Sequence, residues 1–419
     1  MRAVVYRGVN DLRLETVPVP RLGAHELLVR VAVCGVCPTD IKKIQHGTVP
    51  PPRIFGHETA GTIVKIGAGN LSLVTRHSSL AVGDRVALHH HVPCLDCHYC
   101  RHRAFAQCET YKRTGVTAGF EPAGGGYAEY VRVLPFVLPG VVKIPDKNSF
   151  AEGAMLEPVN TVLKAVRRLN LLRGDAVLVA GQGPIGLMFT RLLQLAGARV
   201  LATDLMASRL KLARQFGAKW TWKVSRSRGN EALVEQSAIR NPQSKIKQRL
   251  VTSSPTIPAL DAAVIAVPSD AAVRQALQLV RGGGQVLLFA HTKRGAHAPR
   301  VPFLAPRQKR SAGIGTFAIE ESGEAPDSAR EARALPISHL PSPISQIDLA
   351  SICLDEKDLI GSYSSDFTLQ AEVARLVFSR RLDVRPLISH RFPLEETAKA
   401  VALAAKPTAD SLKILVQIG

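Results

Sequence analysis

The sequence predicts an α/β protein in two structural styles: a doubly wound parallel sheet in the middle of the chain and a β-rich unit before it. Three observations carry this. Residues 176–204 read as strand, glycine turn, helix, strand and acid. Strand-like apolar runs then alternate with helix-like ones to about residue 290, the βαβ alternation that lays helices over a parallel sheet. Residues 1 to about 33 read instead as short strands punctuated by Pro18, Pro20 and Gly23.

The central stretch is the most informative. Ala176–Ala180 is an apolar strand that runs into Gly181-Gln182-Gly183-Pro184-Ile185-Gly186. A helical run follows, Leu187 to Leu195, stopped by Gly197. Arg199 to Thr203 is the next strand, and it ends on Asp204. In a G-x-G-x-x-G turn each glycine has a task. Gly181 makes the tight turn, Gly183 lets backbone approach a pyrophosphate, and Gly186 lets the helix lie close to the sheet. The helix start, entered through Pro184 and Ile185, turns unpaired N–H groups to the phosphates. Asp204 stands 18 residues past Gly186, placed to accept from both ribose hydroxyls of an adenosine. A carboxylate there repels a 2′-phosphate, so the pattern favours NAD over NADP. Arg209, five residues on, borders the adenine. The plain alternative is a tight turn in an α/β sheet with nothing bound.

At 419 residues the chain is long enough for two or three domains. Its 46% apolar content is that of an ordinary globular protein. Met1–Tyr6 reads as a strand and not as a signal peptide. The uncharged run Ala176–Thr190 is too short to cross a bilayer. A soluble cytoplasmic protein with no membrane partner is therefore expected. The net charge is +20. Eleven Lys/Arg face two Glu between Leu205 and Pro255, and six Lys/Arg face no acid between His291 and Gly313. Such a charge attracts anions, but no stacking aromatics are interleaved with it, so nucleic acid is not the expected partner.

In the β-rich unit, Ala3–Tyr6, Leu12–Leu14 and Leu27–Val33 alternate as strands. Cys34-Gly-Val-Cys37-Pro-Thr39-Asp40 follows, and twenty residues after Cys37 comes Gly56-His57-Glu58. Cys, His and Glu are the ligand types of a catalytic zinc, with three protein ligands and one open position. Asp40 is placed to fix the histidine ring. A Cys34/Cys37 redox pair is the alternative, although no thioredoxin-like βαβ pattern surrounds it. Val82–Ala87 reads as a turn into a strand. Cys94-x2-Cys97-x2-Cys100-x7-Cys108 then describes a closed tetrahedral zinc site. A disulfide-stapled loop and an iron–sulfur cluster are its alternatives. His89, His90, His91, His98 and His102 crowd this module as loop residues. Gly124–Val131 is a glycine turn into a strand. Met155-Leu-Glu157-Pro158 opens a helix towards Leu172. Glu157 is either a first-turn carboxylate or the floor of a cleft beside the metal.

Beyond Asp204, a helix at Arg209–Phe216 stops at Gly217. Strands follow at Asp261–Val267 and Gly284–Ala290, with a helix at Ala271–Val280 between them. Residues 297–345 lose all pattern and are rich in Pro, Ser, Ala and Arg, which reads as a mobile or disordered insertion. Order returns at Asp355–Tyr363, with a helix at Leu369–Phe378 and a last strand at Lys413–Ile418.

Taken with their order and spacing, Cys37-Pro-Thr-Asp40, Gly56-His-Glu58, Val82-Gly-Asp-Arg-Val86, the four-cysteine lobe, Glu157-Pro158 and Gly181-x-Gly-x-x-Gly186 resemble the zinc-containing medium-chain alcohol dehydrogenases, nearest the sorbitol and L-threonine dehydrogenase branch. The resemblance implies a GroES-like catalytic domain over 1–158, with a zinc lobe at about 89–110. It implies a Rossmann NAD domain over 159–365 and a return to the catalytic domain over 366–419. It implies a catalytic zinc on Cys37, His57 and Glu58, with Glu157 within reach, and a structural zinc on Cys94, Cys97, Cys100 and Cys108. Thr39 matches the hydroxyl of a proton relay. Asp204 and Arg209 match adenosine-ribose contacts, and Leu288, Phe289 and Ala290 with Ser362 and Tyr363 match the nicotinamide wall. The activity implied is hydride transfer between NAD and a small-molecule secondary alcohol, polyol or amino alcohol, in a dimer or tetramer. One position departs from the family. A histidine usually stands five residues after the zinc cysteine, and here that residue is Lys42. Three rival functions stand beside this one: an NADPH-linked zinc reductase of aldehydes or ketones, a basic zinc protein that binds nucleic acid, and a member that binds zinc and NAD without turnover.

Overall fold

The computed structural model describes residues 1–69, 80–89, 92–110, 124–226, 232–233, 259–290 and 349–419. The expected insertion at 297–345 and most of the basic stretch at 227–258 lie outside the described residues.

Six strands form one sheet in the order Trp220–Lys223, Arg199–Asp204, Ala176–Ala180, Leu260–Ile265, Val280–Leu288 and Asp358–Gly361. Each neighbouring pair runs parallel. Counted along the chain, this is the order 3-2-1-4-5-6, which reverses direction between Ala176–Ala180 and Leu260–Ile265. Ligands of such sheets bind in the crevice outside the strand ends at that reversal. The Gly181–Gly186 turn leaves the first strand there. All five residues of Ala176–Ala180 are buried, as a parallel strand covered on both faces must be.

The helix after the turn spans Pro184–Leu195, one turn earlier than the apolar run alone predicts. Pro184 sits in the first turn, where a missing N–H costs nothing and φ is preset. Helix Asp270–Leu279 is capped by Ser269, whose hydroxyl accepts from the Ala272 N–H at 3.2 Å. Strand Val280–Leu288 begins four residues before the expected Gly284. Val280 pairs with Leu260, and a register irregularity then absorbs Arg281–Gly284. Helix Leu156–Val166 ends short of the expected Leu172. The later amides are taken by side chains: Asn170 N donates to Gln285 Oε1 at 2.6 Å, and Leu172 N to Asp175 Oδ2 at 2.8 Å.

The second large sheet runs Ile388–Pro393, Lys413–Gln417, Leu27–Gly35, Glu58–Ile66, Arg85–Leu88 and Val142–Lys143, with Tyr130–Val133 also paired to Leu27–Gly35. Two of these strands come from the far end of the chain. Lys413–Gln417 lies antiparallel to Leu27–Gly35, with Leu415 opposite Gly35. Helix Pro38–His46, which the sequence pattern left unassigned, follows directly. Pro38 opens it, and Gly47 closes it at φ 63°. One apolar cluster joins the two sheets, from Val33 and Ala60 through Met155 and Val159 to Leu187, Phe189 and Val377.

Candidate active site

The register of two antiparallel strands builds the first cluster. Gly35 lies opposite Glu58. Cys37 is two residues past the first, and His57 one residue before the second, so both are delivered to one sheet end. Cys37, His57 and Glu58 each present a ligand atom, and these atoms all lie within 4.8 Å of one another. His57 and Glu58 are buried, and Cys37 is half-buried. Asp40 lies one helical turn beyond Cys37 and is wholly buried. Its Oδ2 stands 3.1 Å from His57 Nδ1 and accepts the Gly56 N–H at 3.1 Å. With Nδ1 held there, Nε2 is the nitrogen left for a metal. Burial alone would lower the imidazole pKa, but Asp40 and Cys37 outweigh it and raise it well above its ordinary value. A thiol, an imidazole and a carboxylate at these separations fit a zinc ion with one position open.

Glu58 has a partner from the far end of the chain. Lys413 is buried, pairs with Glu58, and donates from Nζ to Val36 O at 3.0 Å. Burial raises the Glu58 pKa, Lys413 opposes this, and Glu157 adds to it. Glu157 sits in the first turn of Leu156–Val166 and is 5% exposed. It is near enough to act on Glu58 but is not one of the three clustered ligands. Cys34 is buried against Thr59 Oγ1 at 3.5 Å, and burial pushes its thiol up to about 12. A thiol so raised is inert, and it stays outside the cluster. Thr39 is half-buried on the helix that carries Asp40.

The second cluster is the four cysteines, whose sulfurs also lie within 4.8 Å of one another. Sγ of Cys100 is 3.9 Å from that of Cys94 and 3.5 Å from that of Cys97. Tetrahedral zinc with bonds of about 2.3 Å requires edges of about 3.8 Å, whereas a disulfide requires about 2.05 Å. The backbone N–H groups of Asp96 and Cys97 lower the Cys94 thiol to about 6. The lobe therefore fits a closed metal site. His89, expected among the loop histidines of this lobe, is not one of the clustered ligands: it is buried, with Nε2 3.4 Å from Ser365 Oγ.

The glycine turn leaves space where a dinucleotide needs it. A Cβ on Gly183 would meet nothing within 4 Å. One on Gly186 would lie 1.7 Å from Gly181 O, so no side chain fits between helix and strand. Gly183 caps the helix, and Pro184 and Ile185 open it. Asp204 is 7% exposed, and its oxygens accept from Gln182 N at 2.7 Å and Met206 N at 2.8 Å. Its orientation is thus fixed from both sides of the turn, and a carboxylate has acceptor capacity beyond two bonds. Arg209 reaches the other sheet's last segment, donating to Ser411 O at 3.3 Å. Leu288, Phe289, Ala290, Ser362 and Tyr363 line one cavity of about 800 Å³. Ser362 is buried, and its Oγ has no hydrogen-bond partner among the described residues. A buried orphan hydroxyl at a cavity wall calls for a ligand atom.

Known proteins resemble this chain in sequence and in fold. The family model for the alcohol dehydrogenase GroES-like domain matches residues 23–146, and that for zinc-binding dehydrogenases matches residues 184–331. The chain belongs to the zinc-containing medium-chain alcohol dehydrogenases. This dehydrogenase is 28% identical to a sorbitol dehydrogenase of Bombyx mori over 99% of its own length and 98% of that protein's. Its fold is shared with 2R,3R-butanediol dehydrogenase from Bacillus subtilis, at TM-score 0.66 and 21% identity over 100% and 99% of the two chains. It is shared also with acetophenone reductase from Geotrichum candidum in complex with NAD, at TM-score 0.69 and 21% identity over 99% and 96%. No helix among its described residues is long and apolar enough to cross a membrane.

Sequence reasoning missed Lys413 in this dehydrogenase. The available signal was a lysine opening an otherwise apolar last strand, Lys413-Ile-Leu-Val, where it has to be buried. Lys42, in the place of the family's histidine, is half-buried and has no hydrogen bond among the described residues, and burial lowers its ammonium pKa.

Proposed function

We propose that this dehydrogenase oxidises a secondary alcohol on a polyol or amino alcohol, with NAD as hydride acceptor, and runs the reverse reduction. The observation that carries the reading is the convergence of Cys37, His57 and Glu58 in one fold with an open dinucleotide turn. Sorbitol and butanediol dehydrogenases among its relatives agree with a vicinal diol as substrate.

When bound, zinc supplies Lewis acidity to the alcohol oxygen, and NAD takes the hydride. Cys37, His57 and Glu58 would hold the zinc. Asp40 orients the His57 ring, and Lys413 balances the buried charge of Glu58. The Thr39 hydroxyl receives the alcohol proton, and Lys42, one turn on, takes it outward, as an amine can once burial has lowered its pKa. Glu157 stands by as a carboxylate near Glu58. Gly181, Gly183 and Gly186 with the helix start at Pro184 and Ile185 hold the pyrophosphate. Asp204 and Arg209 take the adenosine end, and the carboxylate selects NAD over NADP. Leu288, Phe289, Ala290, Ser362 and Tyr363 flank the nicotinamide. The same reading includes a cytoplasmic homo-oligomer, dimer or tetramer, and seven cysteines without a disulfide between them suit a reducing compartment.

The test measures NADH formation against polyols, secondary alcohols and L-threonine, with zinc assayed on the same sample. Turnover with about two zinc ions per chain is the expected result. Cys37→Ser should abolish turnover and keep NADH binding, read by fluorescence titration. Full activity in that variant would overturn the ligand assignment.

A further inference from the structure

The cavity that holds Tyr363 carries a charge that dehydrogenation of a neutral alcohol does not use. Its walls include Arg103 from the four-cysteine lobe and Lys164, Arg167 and Arg168 around the end of helix Leu156–Val166, with Asp366 the one acid among the described lining residues. The last three fall at i, i+3 and i+4, one helical face. Their partners leave donors over. Lys164 Nζ donates to Tyr363 O at 2.9 Å, and Arg168 donates to Gly361 O. Both acceptors are neutral carbonyls. Arg167 pairs with Glu372, which does not line the cavity. Arg103 has no ion pair among the described residues. Asp366 Oδ1 already accepts from the N–H and hydroxyl of Thr368. Burial lowers the Lys164 pKa, and Arg168 pushes the same way against Asp366. Among the described lining residues four cations thus meet one acid, in a cavity of about 800 Å³, within the size range of small-molecule sites.

Two further facts say what enters. The cofactor's phosphate turn at Gly181–Gly186 and the ribose acid Asp204 do not line this cavity; of the cofactor only the nicotinamide end, which carries no phosphate, would border it through Leu288, Phe289, Ala290, Ser362 and Tyr363, so its cations are not those that hold the cofactor's phosphates. Tyr363 does line it, and its phenol also feels Cys37, His57, Glu157 and Asp40. It therefore lines the cavity within electrostatic reach of the metal cluster. We propose that the cavity receives the distal phosphate of a polyol phosphate monoester whose alcohol end reaches Cys37, His57 and Glu58 past Tyr363. This rests on the alcohol oxidoreductase reading above and names its substrate class. Guanidinium groups bind phosphate oxygens in pairs of charged hydrogen bonds, and a dianion matches the excess charge better than a monoanionic carboxylate does.

The test uses the zinc-loaded full chain with D-sorbitol, D-sorbitol 6-phosphate and D-gluconate. The phosphate ester should show kcat/KM at least about tenfold above sorbitol, carried by KM. The double variant Arg103→Gln/Arg167→Gln should cut that ratio by at least about tenfold, and Arg13→Gln, the same type of charge loss on the distant strand Asp11–Thr16, should leave it unmoved. Equal or better use of sorbitol or gluconate, or a ratio indifferent to the double variant, overturns the proposal. Calorimetric titration of sorbitol 6-phosphate into wild type and double variant reads the cavity without turnover. Binding lost in the variant, in a protein that oxidises no alcohol, keeps the phosphate site and defeats the dehydrogenase reading. Oxidation of neutral alcohols without phosphate binding does the reverse.

Discussion

Lys413 is the residue on which the first cluster's electrostatics turn. It neutralises Glu58 inside the protein, where a carboxylate without a counter-charge is costly. Removing one partner of a buried pair leaves the other uncompensated and costs about 3–5 kcal/mol. Lys413→Met should therefore destabilise the fold by about 3 kcal/mol, and Lys413→Arg should recover most of it. Thermal unfolding of the two variants checks this, and a loss under about 1 kcal/mol for the methionine would reduce the contact to a weak surface-type pair. The grouping of Cys37, His57 and Glu58 was legible in the sequence because residue type and the glycine-flanked His57-Glu58 point to metal chemistry within a few positions. Lys413 was not. It is 355 residues from Glu58, and nothing local to either residue records a pairing made by strand order.

Among elements, the four-cysteine lobe and the glycine turn were the most readable, because their function is written in backbone geometry and spacing. Gly186 admits no side chain, and four thiols in fifteen residues have few other uses. Helix Pro38–His46 was harder to see, because its buried face, Asp40, Ile41 and Ile44, contains a charged residue that breaks the apolar pattern. The short end of helix Leu156–Val166 was also hidden, since the side chains that take its later amides, Gln285 and Asp175, lie outside its own sequence. The lobe makes a separable prediction. Cys100 is buried and sits 3.5–3.9 Å from two other thiols. Cys100→Ser should lower zinc from about two ions per chain to about one and reduce the melting temperature, while His57-dependent metal stays. Loss of both ions, or of neither, by elemental analysis would refute independent sites.

At the scale of the whole molecule, the parallel sheet followed from periodicity, whereas its strand order came only with the structure. The mixed second sheet did not, since its members are gathered from both ends of the chain. Carboxylates help lock that assembly. Glu26 accepts from Nε and Nη2 of Arg132 at 2.7 Å each, and Glu152 accepts from Ser149 N at 2.7 Å and from Arg380 in the C-terminal segment. Burial alone would raise both pKa values, but these partners outweigh it and depress them. A depressed carboxylate stabilises the fold fully above its unfolded pKa, about 4.3 for Glu, and loses that contribution as pH falls through the folded value. Melting temperature should hold from neutrality to about pH 5 and then drop. Glu26→Gln and Glu152→Gln should melt lower at neutral pH and converge on the wild type in acid. Curves that stay parallel down to about pH 3 would remove these carboxylates from the account.

The placement of Lys413–Gln417 beside Leu27–Gly35 also sets a timetable. On a ribosome adding roughly 5–20 residues per second, the strand bearing Glu58 leaves the exit tunnel tens of seconds before Lys413 is made. During that interval the complete parallel-sheet segment is translated, while Glu58 waits without its counter-ion and the neighbouring sheet edge stays open. A nascent chain thus carries every strand of the parallel sheet before its metal pocket can be completed.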